Sequence, residues 1–315
     1  MNQNNIIIIA GPTASGKTST SINLVKKLGG EILNFDSLLF YKELNIGTAK
    51  PSIEEMESIP HHMVSTHSIA NPINAADFIK IAIPLINEIH KKNKTVFLVG
   101  GSGFYLQALL KGMYQSETTS LEIRNKSNLI YENEGIAPFI ELLKNNDPIS
   151  FERYHENDHY RIRRACEHFW MTGAPFSESR KEMPNQQMQS PQVKFNWNTY
   201  FCYLDLPKEE HFKIITKRTE QMLQAGLIQE VESLIAAGFT GQEKPLKSIG
   251  YKEVIDFLNG EYSDREACAQ KINISTRQLA KAQRTWFKKI EKNEYHSLED
   301  QDKILLDCTQ FLQGK

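Results

Sequence analysis

Near its N-terminus the chain reads Gly11-Pro12-Thr13-Ala14-Ser15-Gly16-Lys17-Thr18, the G-x-x-x-x-G-K-T pattern of a phosphate-binding loop, or P-loop. The apolar residues 6–10 before it predict a buried strand, and residues 20–28 after it predict a helix. In such a loop the backbone N–H groups converge on phosphate oxygens, and the helix dipole adds to the attraction. Lys17 is expected to neutralise the terminal phosphate, and the hydroxyl of Thr18 to hold a magnesium ion. The sequence thus predicts a site for a di- or triphosphate and leaves open whether that anion is ATP.

The composition narrows the class of protein. The 315 residues carry a formal net charge of −1, so the chain is not a uniformly basic nucleic-acid binder and any RNA site must be a local patch. Four cysteines stand far apart without a C-x-x-C pair, which is typical of a reducing compartment and of a chain without a thiolate metal site. No signal peptide and no apolar run of membrane-spanning length is visible. We therefore expect a soluble, cytoplasmic protein with no membrane partner.

The order of apolar and amphipathic segments indicates the fold class. Short apolar runs predict parallel strands at residues 6–10, 31–35, 95–99 and 199–206, with a weaker candidate at 304–306, and amphipathic segments at 75–91 and 208–237 separate them. This alternation predicts an α/β fold, a P-loop-type doubly wound parallel sheet flanked by helices. The charged middle of the chain lacks strand patterns and predicts a mainly helical insertion, bracketed by polar segments at 115–120 and 185–191. We therefore predict a P-loop core of residues 1–115 and 191–315, and an insertion of residues 116–190 that contacts RNA.

Two segments follow predicted strands at the edge of the sheet that carries the P-loop. Asp36 comes directly after the second strand, where its carboxylate can accept a proton from a nucleophile that approaches a bound phosphate donor. An Asx turn or a helix cap is an equally good reading of Asp36-Ser37. The loop Gly100-Gly101-Ser102-Gly103 lets backbone approach a ligand closely, and Ser102 offers a hydroxyl, although an ordinary turn with Ser102 as N-cap has similar weight.

Arg218 and the predicted strand at residues 95–99 indicate which kind of phosphate chemistry the chain could perform. Arg218 lies on the amphipathic segment 208–237 and is a candidate second cation for the phosphates, although the sequence alone favours a solvated helix face for a single arginine. A P-loop ATPase usually has an acidic residue at the end of a second apolar strand to hold magnesium. Here Val96-Phe97-Leu98-Val99 ends in glycine, and no Asn-Lys-x-Asp guanine signature is present.

A basic stripe near the C-terminus predicts contact with RNA. Residues 267–290 contain six Lys or Arg residues and no acid, and Arg277, Lys281, Arg284 and Lys288 share one helical face. Trp286 is interleaved as a potential stacking partner for a base. A solvated face is the alternative reading. Two further basic clusters lie at residues 161–164 and 247–252.

The segment His155-Glu156-Asn157-Asp158-His159 matches the H-E-x-x-H pattern of zinc proteases. That chemistry needs a helix to bring both imidazoles to one face, whereas Asn-Asp in the middle favours a turn or a cap. We therefore reject a zinc site here and expect Asp158 to be the N-cap of the helix that carries the arginines.

These motifs, taken in order, resemble the tRNA dimethylallyltransferase family, also called tRNA isopentenyltransferases, over residues 6–289. The segments that carry the resemblance are the P-loop, Asp36-Ser37 with Tyr41, Ile46-Gly47-Thr48-Ala49-Lys50-Pro51, Val99-Gly100-Gly101-Ser102, Asn157-Asp158 with Arg161 and Arg164, Ser248-Ile249-Gly250-Tyr251, and Arg277-Gln278-Leu279-Ala280-Lys281-Ala282-Gln283-Arg284-Thr285-Trp286. So many motifs in the same order are specific for this family, whereas a P-loop alone occurs in many unrelated proteins.

The resemblance implies that the P-loop holds the diphosphate of dimethylallyl diphosphate and that the acceptor is N6 of the adenosine 3′ of the anticodon in tRNA. Asp36 then binds that amine as general base, while Lys17, Thr18, Arg218 and Mg²⁺ stabilise the departing diphosphate. The family has a threonine at the position of Ser102, so the donor hydroxyl is kept but its rotamer is less fixed. Phe151, Tyr154 and Glu156 also depart from the family pattern.

We expect a single chain to suffice for the reaction. The resemblance also implies which positions face the tRNA anticodon stem-loop. These positions are Asp36, Ser37, Leu38, Leu39, Ser102, Arg124, Tyr160, Arg161, Ile162, Arg163, Arg164, Lys247, Ser248, Ile249, Gly250, Tyr251, Lys252, Lys281, Arg284, Trp286 and Lys288. A small-molecule or nucleotide kinase of the same fold is the main alternative, but it leaves the one-sign helix unexplained. A second alternative is an RNA-binding nucleotide switch. Such a protein should carry an acidic residue that holds magnesium or a motif that recognises the nucleotide base, and neither is visible.

Overall fold

A computed structural model of the chain describes residues 4–112, 119–181 and 190–314. The chain divides into two compact units, one of residues Met1–Gly112 with Pro191–Lys315 and the other of residues Met113–Ser190. The polar segments at 115–120 and 185–191 lie largely outside the described residues. Within the described ranges no helix is both long and apolar enough to cross a membrane.

The first unit is built on a six-stranded parallel sheet with the order β3-β2-β4-β1-β5-β6. Its strands are β1 (Asn4–Ala10), β2 (Glu31–Asn34), β3 (His61–His62), β4 (Val96–Gly100), β5 (Trp197–Asp205) and β6 (Asn293–His296). β1 runs between β4 and β5, and Ala10 pairs with Gly100 on one side and with Tyr203 on the other. This register brings the loops that follow β1, β2 and β4 to one edge of the sheet.

Helices cover both faces of this sheet, which confirms the predicted doubly wound α/β fold. The helices of the first unit are α1 (Lys17–Leu28), α2 (Ala75–Lys91), α3 (Gly103–Lys111), α9 (Pro191–Lys194), α10 (Lys208–Gln224), α11 (Leu227–Ala236), α12 (Tyr251–Leu258), α13 (Arg265–Phe287) and α14 (Gln301–Gln313), with a 3-10 turn at Lys244–Lys247. Side chains alternate between the faces of β1: Ile6 and Ile8 pack with α2 and α3, and Ile7 and Ile9 pack with α1 and α14. All four are at most 1% exposed, which explains the unbroken apolar run.

Two predicted elements differ in the structure. Residues 304–306 lie inside α14 instead of forming a strand, because Ile304 is the buried position of an amphipathic helix. The sixth strand is instead β6, whose sequence Asn-Glu-Tyr-His carries one buried side chain and gives no apolar run. The predicted helix at 208–237 is divided into α10 and α11 at Gly226, whose φ of 101° lies outside the right-handed helical region.

A separate apolar cluster joins α10 to α13 within the first unit. Leu223, Leu227, Tyr251 and Ile272 are among its buried members. α10 and α13 pack along their length, so side chains of α13 reach the sheet edge that carries the P-loop.

The second unit is helical throughout its described residues. Its helices are α4 (Leu121–Glu134), α5 (Ala137–Asn146), α6 (Pro148–Arg153), α7 (His159–Thr172) and α8 (Phe176–Lys181). Phe139, Leu143 and Ile162 belong to its core. Asp158 is the N-cap of α7 and accepts a hydrogen bond from the backbone N–H of Arg161, as predicted.

Glu31 forms a buried ionic cluster at the start of β2. Its side chain is 3% exposed and accepts hydrogen bonds from His62 Nε2 at 2.7 Å and from Lys94 Nζ at 2.9 Å. Burial disfavours the charged carboxylate, but the hydrogen bonds from Lys94 and His62 outweigh it, and the pKa of Glu31 lies below its ordinary value.

We expect Glu31→Gln to lower the free energy of unfolding at pH 7 by about 2 kcal/mol, because the amide has only one acceptor oxygen and no negative charge to pair with Lys94. Urea unfolding measures this change. Since the folded-state pKa is lowered, the contribution is complete above the ordinary value of 4.5 and disappears as the pH falls through the folded-state pKa. Glu57→Gln, which breaks the exposed pair with Lys26, is the control and should cost less than about 0.5 kcal/mol. Equal losses in both variants would contradict the prediction.

Candidate functional site

The P-loop leaves β1 after Ala10 and enters α1 at Lys17. Gly16 is the N-cap of α1 with φ 79°, a left-handed conformation that favours glycine. A Cβ at Gly11 would lie 2.3 Å from the carbonyl oxygen of Leu204 in β5, so no larger residue fits there. The two glycines of the motif are therefore required, one by backbone conformation and the other by the neighbouring strand.

Lys17 folds back over the P-loop and donates hydrogen bonds to the carbonyl oxygens of Gly11 at 3.2 Å and Pro12 at 2.7 Å. Burial lowers the pKa of the Lys17 ammonium to about 8; the charge of Asp36 opposes this shift and that of Arg218 adds to it. The structure thus brings Lys17, Asp36 and Arg218 into electrostatic reach of one another. Two cations and one carboxylate form a site that a polyanion would complete.

Asp36 is held at the sheet edge by Asn34, the last residue of β2. The Asn34 side chain accepts a hydrogen bond from the Asp36 N–H at 2.9 Å and donates to the Asp36 carbonyl at 3.0 Å and the Met63 carbonyl at 2.9 Å. Asp36 Oδ1 accepts from the backbone N–H of Leu38 at 3.2 Å, so the predicted Asx turn exists. This turn fixes one carboxylate oxygen, and Oδ2 accepts no hydrogen bond from the described residues. The turn and the proton-acceptor role are therefore compatible.

Asn34 was not predicted as part of the site, although the sequence contains a signal for it. A buried amide at the end of an apolar strand is costly unless it is hydrogen-bonded, so its presence points to a specific partner. Gly100, at the end of β4, has a related role: a Cβ there would lie 2.8 Å from the backbone nitrogen of Asp36. Both residues set the position of the Asp36 backbone.

Ser102 occupies the N-cap position of α3 but makes no capping hydrogen bond through its side chain. The alternative that its hydroxyl serves only to cap the helix is therefore not realised. Its neighbours pack against α13, since a Cβ at Gly101 would lie 2.5 Å from Gln283 Nε2 and one at Gly103 would lie 1.9 Å from the ring of Trp286. The glycines of this loop let α13 approach the site.

Arg218 is partly buried and donates from Nη2 to the carbonyl oxygen of Thr48 at 3.2 Å. Burial lowers the pKa of its guanidinium, and Asp36 opposes that shift. The reading as a fully solvated helix face is therefore wrong for this arginine. Its side chain faces the same space as Lys17.

Glu230 of α11 orders the loop that contacts Arg218. Its carboxylate accepts hydrogen bonds from the backbone N–H groups of Asn45 and Ile46, at 3.1 and 2.9 Å, and from the hydroxyl of Tyr251 at 2.6 Å. The Tyr251 ring packs on Gly47, where a Cβ would lie 2.6 Å from it. Sequence reasoning missed Glu230, because an acidic residue on an amphipathic helix carries no local signal for contacts with a loop 184 residues away.

Comparison with known proteins shows which family the chain belongs to. A family model described as IPP transferase matches residues 39–290. The chain belongs to the IPP transferase family. The tRNA dimethylallyltransferase 2 of Geotalea daltonii is 38% identical over 287 residues, which cover 90% of this chain and 85% of that relative. The resemblance inferred from the motifs is thereby confirmed.

Solved structures agree with this family assignment. The crystal structure of a full-length tRNA isopentenylpyrophosphate transferase from Bacillus halodurans has a TM-score of 0.71 and 30% identity, covering 99% of this chain and 96% of that one. The structure of a eukaryotic dimethylallyltransferase acting on tRNA has a TM-score of 0.83 and 27% identity, covering 99% of this chain and 80% of that one.

The basic stripe of α13 contains two exposed lysines and two arginines that are paired within the protein. Lys281 and Lys288 are exposed, as a contact with RNA requires. Arg277 instead lies over the ring of Phe212, 4.6 Å from its centroid, and Arg284 forms a two-point salt bridge with Asp205. The predicted contact of Arg284 with RNA therefore has no support in the structure, because its guanidinium is already paired with protein groups. Trp286 packs on Gly103 and is 36% exposed.

The basic cluster of the second unit is also only partly exposed. Arg124, Tyr160 and Arg161 lie on its surface. Ile162 is 2% exposed in the core and cannot face a partner there. The remaining two arginines bind within the unit: Arg163 contacts Ser127, Asn128 and Tyr131, and Arg164 contacts Thr119 and Glu167.

The segment 247–252 is divided in the same way. Lys247 and Lys252 are exposed, and Lys252 pairs with Asp256. Ser248 and Ile249 are half-buried, Gly250 is buried with φ 92°, and the Tyr251 ring is fully buried. The prediction that all six positions face RNA is therefore wrong for Tyr251, whose ring and hydroxyl are both used inside the protein.

The H-E-x-x-H pattern does not lie on one helix. His155 stands in a turn before α7, and His159 is the first residue of α7 and contacts Tyr131. The two imidazoles therefore do not share a helical face.

The lowered pKa of Lys17 predicts a pH dependence for anion binding. A bound diphosphate favours the charged ammonium, so binding weakens as the pH rises through the free-protein pKa of about 8. We expect the Kd for inorganic pyrophosphate, measured by titration calorimetry, to rise about tenfold between pH 7 and pH 9. Lys17→Arg is the control, because a guanidinium stays charged over this range. The same pH profile in both proteins would overturn the assignment of the titrating group to Lys17.

Proposed function

We propose that this chain transfers a dimethylallyl group from dimethylallyl diphosphate to N6 of the adenosine 3′ of the anticodon in tRNA. The observation that carries the proposal is the convergence of Lys17, Asp36 and Arg218 at one sheet edge, in a member of the IPP transferase family. Its relatives are named tRNA dimethylallyltransferases.

The reaction needs orientation, a proton acceptor and positive charge. The N6 amine attacks C1 of the donor, the bond between C1 and the diphosphate oxygen breaks, and its electron pair leaves with the diphosphate. The N6 proton moves to the free oxygen of Asp36. P-loop N–H groups, Lys17 and Arg218 stabilise the charge that develops on the leaving group, and the Ser102 hydroxyl donates to the bridging oxygen.

Residues at the P-loop fit a magnesium ion bound together with the diphosphate. Thr18 is the second residue of α1, and its side chain is exposed beside Lys17. Among the described residues no group of three or more His, Cys, Asp or Glu side chains forms a metal site. A single hydroxyl still suffices for Mg²⁺, which keeps several waters and takes its other ligands from substrate phosphates. The ion would neutralise diphosphate charge.

The exposed basic residues suit binding of the tRNA backbone. Lys281 and Lys288 of the first unit, and Arg124 and Arg161 of the second, present their charges to solvent, and Tyr160 is 76% exposed beside Arg161. Phosphate contacts of this kind position an RNA and offset the cost of about a few kcal/mol for taking the target base out of its stack. We expect a single chain to suffice for this reaction and to act in the cytoplasm, where the tRNA substrate is found.

Transfer of label from radioactive dimethylallyl diphosphate to unmodified tRNA tests the proposal, with mass spectrometry to locate the product in the anticodon loop. We expect Asp36→Asn to lower kcat at least about 100-fold, because the amide keeps the Asx turn but cannot accept the proton. Its Kd for tRNA should stay within about twofold. Faster transfer of the ATP γ-phosphate to a small acceptor would favour a kinase and refute the proposal.

The salt dependence of tRNA binding tests which cations of α13 face the RNA. Lys281→Ala should reduce the slope of log Kd against log salt concentration by about one, because one phosphate contact is lost. Arg284→Leu should leave the slope unchanged, since Asp205 already pairs with that guanidinium. Lys80→Ala, at an exposed position of α2, is the control. A slope change in the Arg284 variant with none in the Lys281 variant would reverse the assignment.

A further inference from the structure

Both backbone polar groups of Thr13, in the middle of the P-loop, are bound by side chains from distant helices. The Thr13 N–H donates to Gln283 Oε1 at 2.8 Å, and the Thr13 carbonyl lies 2.7 Å from His211 Nε2. Gln283 belongs to α13 and His211 to α10. Gln283 also donates from Nε2 to the carbonyl of Gly101 at 3.0 Å, so one amide joins the P-loop to the loop that carries Ser102.

The hydrogen-bond partners of His211 define its tautomer. Arg284 Nη2 lies 2.7 Å from His211 Nδ1, and a guanidinium can only donate, so Nδ1 must be the acceptor. The proton therefore resides on Nε2, which donates to the Thr13 carbonyl. Burial lowers the pKa of His211, whereas its bond to Thr13 opposes that shift; the ring is fully buried and neutral.

Arg284 is itself fixed by the end of β5. Its Nε lies 2.9 Å and its Nη2 2.7 Å from Asp205 Oδ1, and Nη2 also donates to the Leu206 carbonyl at 3.3 Å. Asp205 is the last residue of β5, the strand beside β1. The contacts thus form a chain from the sheet through Arg284 and His211 to Thr13.

The backbone that follows Thr13 explains why such support is needed. Ala14 has φ 61°, a left-handed conformation that costs a residue with a Cβ about 1–2 kcal/mol. Strained backbone of this kind persists only where its surroundings fix it. Anchoring both peptide groups of Thr13 fixes the residue that enters the strained turn, and hence the directions of the N–H groups beyond it.

We propose that Asp205, Arg284, His211 and Gln283 form a clamp, here called the Thr13 clamp, that holds the P-loop in the conformation that binds diphosphate. This inference rests on the proposed function, because it concerns the same diphosphate. The four side chains are positioning residues: they act through the peptide groups of Thr13 and Gly101. Arg284 belongs to this clamp and not to the RNA surface.

Binding of inorganic pyrophosphate, measured by titration calorimetry, tests the clamp. His211→Phe removes the hydrogen bond to the Thr13 carbonyl, and Gln283→Leu removes those to the Thr13 N–H and the Gly101 carbonyl. Each variant should raise the Kd at least about tenfold and should raise the KM for dimethylallyl diphosphate in parallel. The Kd for tRNA should stay within about twofold. Arg277→Leu is the matched control, because it removes a contact between α10 and α13 that does not touch the P-loop. It should leave the pyrophosphate Kd unchanged.

Two further variants separate positioning from a general loss of packing. His211→Gln keeps an N–H donor and should recover most of the pyrophosphate affinity lost in His211→Phe, and it serves as the test if the Phe variant does not fold. Arg284→Leu should weaken pyrophosphate binding alone but add nothing in the His211→Phe background, because Arg284 acts through His211.

The clamp would be overturned if Arg284→Leu and His211→Phe had additive effects on the pyrophosphate Kd. It would also be overturned if Arg277→Leu and His211→Phe lost equal pyrophosphate affinity. An active wild-type enzyme whose His211 and Gln283 variants bind pyrophosphate normally would do the same, while leaving the proposed function intact. A wild-type protein that binds pyrophosphate in a clamp-dependent way but transfers no prenyl group to tRNA would refute the proposed function and leave the clamp standing.

Discussion

The parallel pairing of β1 with β4 and β5 is the constraint on which the site depends. It places the P-loop between two strands whose ends supply the other components, the loop 100–103 after β4 and Asp205 at the end of β5. The approach is so close that Gly11 lies against the carbonyl of Leu204 and Gly100 against the backbone of Asp36. Side chains at either position would separate the strand ends, and the carboxylate and the P-loop would move apart.

Electrostatics then give the site its preference for an anion. Burial lowers the pKa values of both Lys17 and Arg218, the charge of Arg218 lowers that of Lys17 further by repulsion, and the charge of Asp36 opposes the shift of each. In the proposed reaction a bound diphosphate would relieve this repulsion, and Asp36 would be the base among these three groups. Under this proposal the two cations would bind the leaving group, and the carboxylate beside them would remain available to accept a proton.

α13 serves two purposes through different sides of one helix. Gln283 and Arg284 reach inward to the P-loop and the end of β5, and Lys281 and Lys288 remain exposed to solvent. The helix therefore connects the donor site with the surface proposed to bind tRNA. The basic residues of this stripe therefore have different roles: Arg284 pairs with the partly buried Asp205, Arg277 lies over the ring of Phe212, and the two lysines face outward.

Some features follow from local sequence alone. The P-loop could be predicted because its signals are contiguous: an apolar strand, glycines where the backbone needs them, and a helix that begins at Lys17. Asp36 and Ser102 are candidates for the same reason, since each lies in the loop that follows a buried strand, and the cap at Asp158 can be predicted from its immediate neighbours. In all of these the determining interactions lie within a few residues.

Only the tertiary structure decided which groups are contacted by the residues that share one face of a helix. Helical periodicity placed Arg277, Lys281, Arg284 and Lys288 together, but it held no information on Asp205, 79 residues from Arg284, or on Phe212. Asn34, Glu230 and the Thr13 clamp likewise act on backbone groups, which have no side-chain signature in a sequence. Residues 304–306 formed a helix and 293–296 a strand because packing against the sheet outweighs the local pattern of a short segment.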